Sequence, residues 1–420
     1  MKILTSMLIV LSCTISLMAE TVNIGLNYPK SGPYSVQGLD QLRAASLAAK
    51  EINAAGGILG KKIKLVMRDT VSKPAIAIKN AEDLIEKEKC EMIFGGSSSG
   101  VAVAVGKVCQ DKKKLFFGTL TYSTSTTGTK AHRYTFRECY NSWMAAKAMA
   151  SYLSDSYKDE KYFFISADYN WGKTTEASVR RFTGSMDKSK HKGVKVPFNP
   201  AKREDFTKKL KKALNYAKSQ KPKVLVLVLF GKDMVDGVKY ATRMGLKKKM
   251  QIVVPNLTLG MAEGASPKFM EGVVGALPWC WKVPEKYGFE KGKKFVASFV
   301  KEYKRYPSTS GASAYTILYQ YKEAVERAKS FESAKVVSAL ENHSYTLLKD
   351  KQTWRALDHQ SVQSVYLVKC KEKAAVDADQ FKLDYFEVIS RLDGESAVRT
   401  EEEWKAVRKK AGLKESLEDL

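Results

Sequence analysis

Residues Lys221 to Phe230 read Lys-Pro-Lys-Val-Leu-Val-Leu-Val-Leu-Phe, an apolar run with no polar residue from Val224 onward. A strand with one wet face alternates apolar and polar residues, so a run without alternation must be covered on both faces. That demands helices above and below a sheet, which is an α/β layer architecture. Shorter runs of the same kind recur at Met92–Phe94, Leu115–Gly118, Tyr162–Ala167, Gln251–Val254 and Val273–Leu277, with a more alternating strand at Thr21–Leu26 and another at Lys62–Met67. Between them lie helical periods. Leu39, Leu42, Ala45, Leu47, Ala48 and Ile52 share one face of Gln37–Ala54, which stops at Gly56-Gly57. Pro74 opens a second helix to Glu88. The first 120 residues therefore read βαβαβαβ, a parallel, doubly wound sheet. After Arg137–Ser142 the pattern restarts, with helices at Trp143–Leu153, Thr174–Phe182 and Asp233–Met244 and late strands at Val362–Lys369 and Phe386–Ser390. A chain of 420 residues has material for two such units.

The ends of these strands carry the residues of interest. Cys90–Val105 reads as a strand, a Gly95-Gly96 break, three N-cap serines (Ser97, Ser98, Ser99) and an apolar helix. A helix start collects backbone N–H groups and partial positive charge, so this turn suits a carboxylate or amide oxygen. Tyr122, Asp168 to Trp171, Phe230, Asn256, Trp279 and Trp281 also follow strands. Polar and aromatic strand-end residues on two parallel-sheet units predict a ligand cleft between the units.

Other chemistries are argued against residue by residue. The net charge is +26, but the lysines are spread along helices and no aromatic-rich RNA-binding signature accompanies them, so nucleic acid is not an expected partner. With four histidines and no Cys-x-x-Cys, neither zinc nor another metal is expected, and no cofactor fingerprint of the Gly-x-Gly-x-x-Gly type occurs. Gly172-Lys-Thr-Thr lacks the first glycine of a phosphate loop, since Ala167 stands there. Gly96-Ser-Ser-Ser-Gly100 matches a nucleophile elbow with Ser98 as nucleophile and Asp358-His359 or His343 as partners, although no His-Gly-Gly-Gly element lies upstream. Residues 1–19 read as a cleaved signal peptide: Lys2, an apolar stretch from Ile3, and Ala19 at the cut. A lipoprotein signal around Cys13 is the weaker reading. Export permits disulfides among Cys90, Cys109, Cys139, Cys280 and Cys370, whose odd number leaves at least one thiol free or bonded between molecules.

Several segments, in this order, resemble one family. They are Ile24-Gly-Leu with Ser31-Gly-Pro33, Ala49-Lys-Glu-Ile-Asn-Ala-Ala-Gly-Gly-Ile-Leu-Gly60, Asp69, Gly95–Ser99, Tyr134-Thr-Phe-Arg137, Asp168-Tyr-Asn-Trp-Gly172 and Arg355-Ala-Leu-Asp-His-Gln360. The chain is similar to the periplasmic solute-binding proteins of ABC importers for branched-chain amino acids and amides. The resemblance implies a type I periplasmic-binding-protein fold, two α/β lobes joined by three crossovers, closing on a ligand about a hinge. It divides the chain into 21–138 plus 282–355, 139–281 plus 356–395, and a charged segment 396–420. It implies a non-enzymatic, monomeric periplasmic receptor that needs no cofactor and delivers its ligand to the transmembrane subunits of an ABC permease. A sensory receptor of the same fold is the alternative, with the Ser98 hydrolase behind it.

The resemblance also carries residue roles. Ser99, with Ser98 beside it, would bind the ligand's carboxylate or amide. Tyr122 would supply a hydroxyl or stacking ring, Trp171 would close over the ligand, Phe230 would form a wall, and Gln37 would enter the pocket. Trp279 adds an aromatic. Asn256 takes the place of an acid that binds the α-ammonium in amino-acid-specific relatives. Either Asp168 replaces that acid, or the ligand has no free ammonium, since a buried ammonium without a carboxylate is costly. Amino acids, amides, urea-like solutes and aliphatic or aromatic carboxylates are the expected ligand classes.

Overall fold

The computed structural model describes residues 20–420, so the signal-peptide expectation at 1–19 lies outside the described residues. The chain opens as β1 (Thr21–Tyr28), α1 (Ser35–Ala54), β2 (Lys62–Asp69), α2 (Pro74–Glu86), β3 (Met92–Gly95), α3 (Ser99–Asp111), β4 (Leu115–Gly118) and β5 (Thr135–Arg137). These strands form one sheet in the order β2-β1-β3-β4-β5, and every pairing is parallel. The two-fold period of a strand divides its side chains between two cores. Ile93 and Phe116 face Ala77, Ala81 and Leu84 of α2 with Val101 and Val105 of α3, while Met92, Phe94, Leu115 and Phe117 join the opposite core.

The second unit follows as α4 (Ser142–Tyr157), β6 (Tyr162–Ala167), α5 (Asn170–Phe182), β7 (Gly193–Val196), α6 (Arg203–Gln220), β8 (Val224–Val228), α7 (Lys232–Arg243), β9 (Gln251–Val254), α8 (Leu259–Ala265), α9 (Pro267–Met270) and β10 (Val274–Leu277). The chain then returns to the first unit through α10 (Lys282–Tyr287), α11 (Glu290–Tyr303), α12 (Thr309–Ala328) and α13 (Ser333–Leu340), with α12 packed along α1. A small antiparallel sheet, β11 (Ser344–Tyr345), β12 (Gln352–Trp354) and β13 (Ser361–Val362), leads back to the second unit. There β14 (Val365–Cys370), α14 (Lys373–Asp377) and β15 (Phe386–Leu392) complete a sheet of order β15-β14-β10-β9-β8-β6-β7.

That sheet is parallel from β10 through β7, but β14 and β15 are antiparallel additions on one edge. Val224–Val228 is wholly buried, as an unalternating strand in its centre should be. The single late strand expected over Val362–Lys369 is instead two. The chain breaks at Gln363-Ser364, where the Gln363 side chain and the Ser364 carbonyl make hydrogen bonds of their own. The chain thus passes between the two sheets three times, after β5, after β10 and after β13.

The C-terminal residues continue through α15 (Gly394–Ala397) into α16 (Glu401–Lys410), which Thr400 and Glu403 start with a reciprocal capping box. This helix docks on the loop after β4: Trp404 Nε1 donates to Thr127 O at 2.8 Å, and an Arg408 amine to Gly128 O at 2.7 Å. The five cysteines of the described chain are all buried and all free. No disulfide links them among the described residues.

Candidate functional site

The site is built on the carboxyl ends of the strands. Gly95 holds φ +126°, and a Cβ there would lie 2.4 Å from Asn27 O, so only glycine lets β3 turn so close to β1. The turn is then pinned from its carbonyl side. Thr119 Oγ1 donates within hydrogen-bond reach of Gly95 O (3.0 Å) and Gly96 O (3.1 Å), and Gln41 Nε2 donates to Gly96 O at 3.1 Å. Ser98 is the N-cap of α3, and its Oγ accepts the Val101 N–H at 3.3 Å. The hydroxyls of Ser97 and Ser99 on either side are buried and have no hydrogen-bond partner among the described residues.

From the other strand ends comes a chain of aromatic rings. Tyr122 meets Tyr140 edge-on at 5.1 Å and Phe230 at 5.7 Å; Phe230 meets Tyr34 at 5.2 Å and Trp171 at 6.0 Å. Tyr169 stacks on Phe198 at 4.1 Å and tilts against Trp171 at 5.8 Å. Tyr34 and Tyr169, from opposite lobes, share a hydroxyl contact of 3.1 Å. Burial raises the phenol pKa values of Tyr34, Tyr122, Tyr140 and Tyr169, so each stays a neutral hydroxyl. Asn256 donates from Nδ2 to the Tyr140 hydroxyl at 3.0 Å, and that hydroxyl donates to Ala276 O at 2.9 Å. This fixes the amide and leaves Asn256 Oδ1 buried and unpartnered among the described residues, as are the Tyr122 hydroxyl and Trp171 Nε1. Unpaired buried polar atoms cost roughly 1–3 kcal/mol each, which is why folded proteins seldom keep them without a use.

The two lobes touch across this cleft. Gln37 Nε2 reaches Thr258 Oγ1 at 3.4 Å, Asn170 Nδ2 reaches Ser123 Oγ at 3.0 Å, and Arg305 pairs with Glu263 at 2.8 Å. Gly231 (φ +59°) faces Pro33 so closely that a Cβ would sit 2.6 Å from its carbonyl oxygen; a Cβ on Gly260 would sit 2.5 Å from Val36 Cγ1. Beside these contacts a cavity of about 230 Å³ runs between the lobes, lined by Pro33, Val36, Gln37, Lys232, Val235 and Met261 among others.

Of the residues singled out from sequence, Ser99, Tyr122, Trp171, Phe230, Asn256 and Gln37 therefore lie at strand-end or cleft positions. Three others stand apart. Asp168 is exposed and faces Lys173 at 3.5 Å, so it does not offer the cluster a buried carboxylate. Asp233, an acid near Tyr34 that is not one of the three, has its carboxyl pKa raised by burial to about 6 and is already held by Arg203. Trp279 donates to Leu348 O at 3.2 Å and tilts against Phe295, among the connections rather than in the cleft. Ser98 is engaged as a cap, and among the described residues no histidine hydrogen-bonds its hydroxyl: His132 contacts Glu418, His191 accepts from Tyr162 N–H, His343 lies beside β12 with its carbonyl accepting the Trp354 N–H, and His359 stacks on Phe136 against Glu341. The nucleophile–base geometry that a hydrolase needs is not assembled there.

Tyr34, Tyr140 and Phe198 belong to the ring cluster and were not singled out, whereas Tyr169 entered within the strand-end stretch Asp168 to Trp171. Tyr34 was legible, since it follows the first strand in a Ser-Gly-Pro turn. Phe198 was not, because the short strand before it has an exposed, lysine-bearing pattern.

Residues 21–375 match a family model described as periplasmic binding protein. The Leu/Ile/Val-binding protein homolog 4 of Brucella melitensis is 26% identical over 383 residues, covering 86% of each chain. Among solved structures, a periplasmic binding protein from Burkholderia mallei superposes with a TM-score of 0.80 at 24% identity, covering 91% of this chain and 98% of that one. A solute-binding protein of an ABC transporter from Rhodopseudomonas palustris, in complex with 3,4-dihydroxybenzoic acid, gives 0.75 at 18% identity, covering 89% and 98%.

Proposed function

Because the chain belongs to the periplasmic binding protein family, we propose that it is the periplasmic substrate-binding component of an ABC importer, which captures a small solute between two lobes and hands it to the permease. The lobes are 21–138 with 282–355 and 139–281 with 356–395. The observation that carries this reading is the set of buried, unpartnered polar atoms drawn from both lobes: Ser97 Oγ, Ser99 Oγ and the Tyr122 hydroxyl from the first, Trp171 Nε1 and Asn256 Oδ1 from the second. A solute that partners atoms on both lobes favours the closed arrangement over the open one, which is all that capture requires.

The same set supports a ligand class. Ser97, Ser99, Tyr122 and Trp171 offer hydrogen-bond donors, and the start of α3 adds its dipole, so an amide or carboxylate oxygen fits here. Asn256 stands where an acid would hold an ammonium, Asp168 is exposed, and Asp233 is paired. The reading is a carboxylate, amide or urea-like solute without a free ammonium, bounded by Tyr122, Trp171 and Phe230. The relative named for leucine, isoleucine and valine and the structural neighbour holding a dihydroxybenzoate bracket this choice.

A thermal-shift screen of amino acids, amides, urea and aromatic acids tests it, since a solute that binds only the folded chain must raise the melting temperature. Aromatic acids or amides are expected to shift it. A strong shift with free leucine and none with the others would overturn the ligand class, and no shift with any of them would count against capture. Asn256→Asp should move preference toward solutes carrying an ammonium.

A further inference from the structure

Lys349 lies in the loop between β11 and β12, and the residue is 3% exposed. Its ammonium donates to Pro278 O at 2.6 Å, Gln363 Oε1 at 2.7 Å and Ser364 O at 2.9 Å. An ammonium has three N–H donors and no acceptor, so these bonds use it completely. The acceptors are not local. Pro278 begins the second connection between the lobes, and Gln363 and Ser364 end the third. Gln363 passes the contact on, because its Nε2 donates to the carbonyl oxygen of Glu138 in the first connection. One cation thus reaches all three crossings through a single relay. A water-sized cavity of about 10 Å³ lies beside it, lined by Glu138, Ser313, Gln352 and Gln363 among others.

We infer that Lys349 is a positioning residue of the hinge, a tie that holds the three connections at one point so that the lobes turn about it and do not slide past one another. The inference rests on the two-lobe receptor reading for its purpose, but its test needs no ligand. Burying a cation without a directly bonded carboxylate is costly. An apolar side chain would avoid that cost but leave three acceptors on the connections without a donor, so the ammonium is kept for the bonds it makes to them. Burial lowers its pKa from 10.5 to about 8.

The charges facing it are few. Glu138 on the first connection and Asp350 on its own loop favour the cation, and Asp350 is itself engaged by Ser364 and Arg391. Around it, burial pushes the phenols of Tyr366, Tyr345 and Tyr287 up, and the Cys280 thiol up to about 12, so they stay neutral while Lys349 titrates. As pH rises through about 8 the amine keeps two N–H donors for three acceptors, and the tie loosens. Stability moves the other way. Between about 8 and 10.5 the unfolded lysine holds a proton that the folded one has released, so this group's contribution to stability rises with pH.

The experiment measures the distance between two spin labels, one per lobe, on the full chain carrying Lys79→Cys and Lys208→Cys. Both positions are exposed, whereas the natural thiols are buried. At about pH 7 the parent should give a narrow distribution, and Lys349→Met one at least about two-fold wider. Raising the parent to about pH 9.5 should widen its distribution, with no further change in Lys349→Met. If Lys349→Met does not fold, the pH series on the parent and on Gln363→Leu decides the matter, with Gln363→Leu already wide at the lower pH. A narrow distribution in the variants, or a parent unmoved by pH, overturns the tie. Failure of every solute in the thermal-shift screen leaves this result standing and removes only the receptor reading.

Discussion

The cleft and the hinge are both rich in buried polar side chains, and the charged and amide groups that tie the hinge are saturated where the cleft's named groups are not. At the hinge, Arg137 donates to Gln360 Oε1 at 2.7 Å, to Thr121 O at 3.0 Å, and to Ser123 O and Thr127 Oγ1; Gln360 in turn donates to Cys139 O and Ser361 O, each at 2.9 Å. Lys349 is likewise used in full. In the cleft, Ser97, Ser99, Tyr122, Trp171 and Asn256 each keep an atom with no partner among the described residues. Saturated groups hold backbone in place and cost heavily when cut. Unsaturated groups cost stability in the chain as it stands, and under the proposed capture a solute would partner them.

The comparison breaks most visibly at Arg137. Burial lowers its pKa to about 10, still well above neutral pH, so it is charged there. Arg137→Leu should cost about 3–5 kcal/mol, because several buried acceptors lose their donor at once; urea unfolding measures this, and a loss below about 1 kcal/mol would contradict the saturated-network account. Next comes Gly260→Ala. The added methyl meets Val36 of the other lobe and little of its own. Affinity for the solute identified by thermal shift should weaken by about 1–3 kcal/mol on calorimetry, while the melting temperature of the free protein stays put. A third test separates neighbouring serines. Ser99→Ala should lower affinity by about 1 kcal/mol with stability unchanged or raised. Ser98→Ala should lower stability by about 1 kcal/mol through the lost cap. The same response from both would erase the distinction between a partnered and an unpartnered hydroxyl. Smallest of all is the response to reductant: with the cysteines buried as thiols, and Cys90, Cys139 and Cys280 pushed up to about 12, dithiothreitol should not move the melting temperature and iodoacetamide should not label the native chain.

Much of the fold was legible because its strands are covered on both sides. Met92–Gly95 and Val224–Val228 announce themselves by unbroken apolar sequence, and the intervening helices by their spacing. What escaped was short or wet. β7 is largely exposed, and β5 has only Thr135–Arg137. The long helix α6 hides Phe206, Leu210, Ala213, Leu214 and Ala217 among lysines. The site was half legible. Strand-end position points to Ser99, Phe230 and Asn256, but whether a polar atom there is free depends on neighbours far along the chain. Nothing local says that Asn256 is bound through its nitrogen by Tyr140, or that Asp168 turns outward to Lys173. Trp279 shows the same limit, since a tryptophan after a strand serves a wall or a hinge equally well until its Leu348 partner is known.

The helix that ends the chain has a practical corollary for anyone preparing this protein. Its indole and guanidinium grip Thr127 and Gly128, a few residues beyond Tyr122 on the same loop, and Leu417 beyond them is tucked in as well. Ending the gene just after β15, at Leu392, would strip the outer support from that loop while leaving both sheets whole. Such a shortened product would pass for well folded by circular dichroism and yet release its solute faster than the full chain.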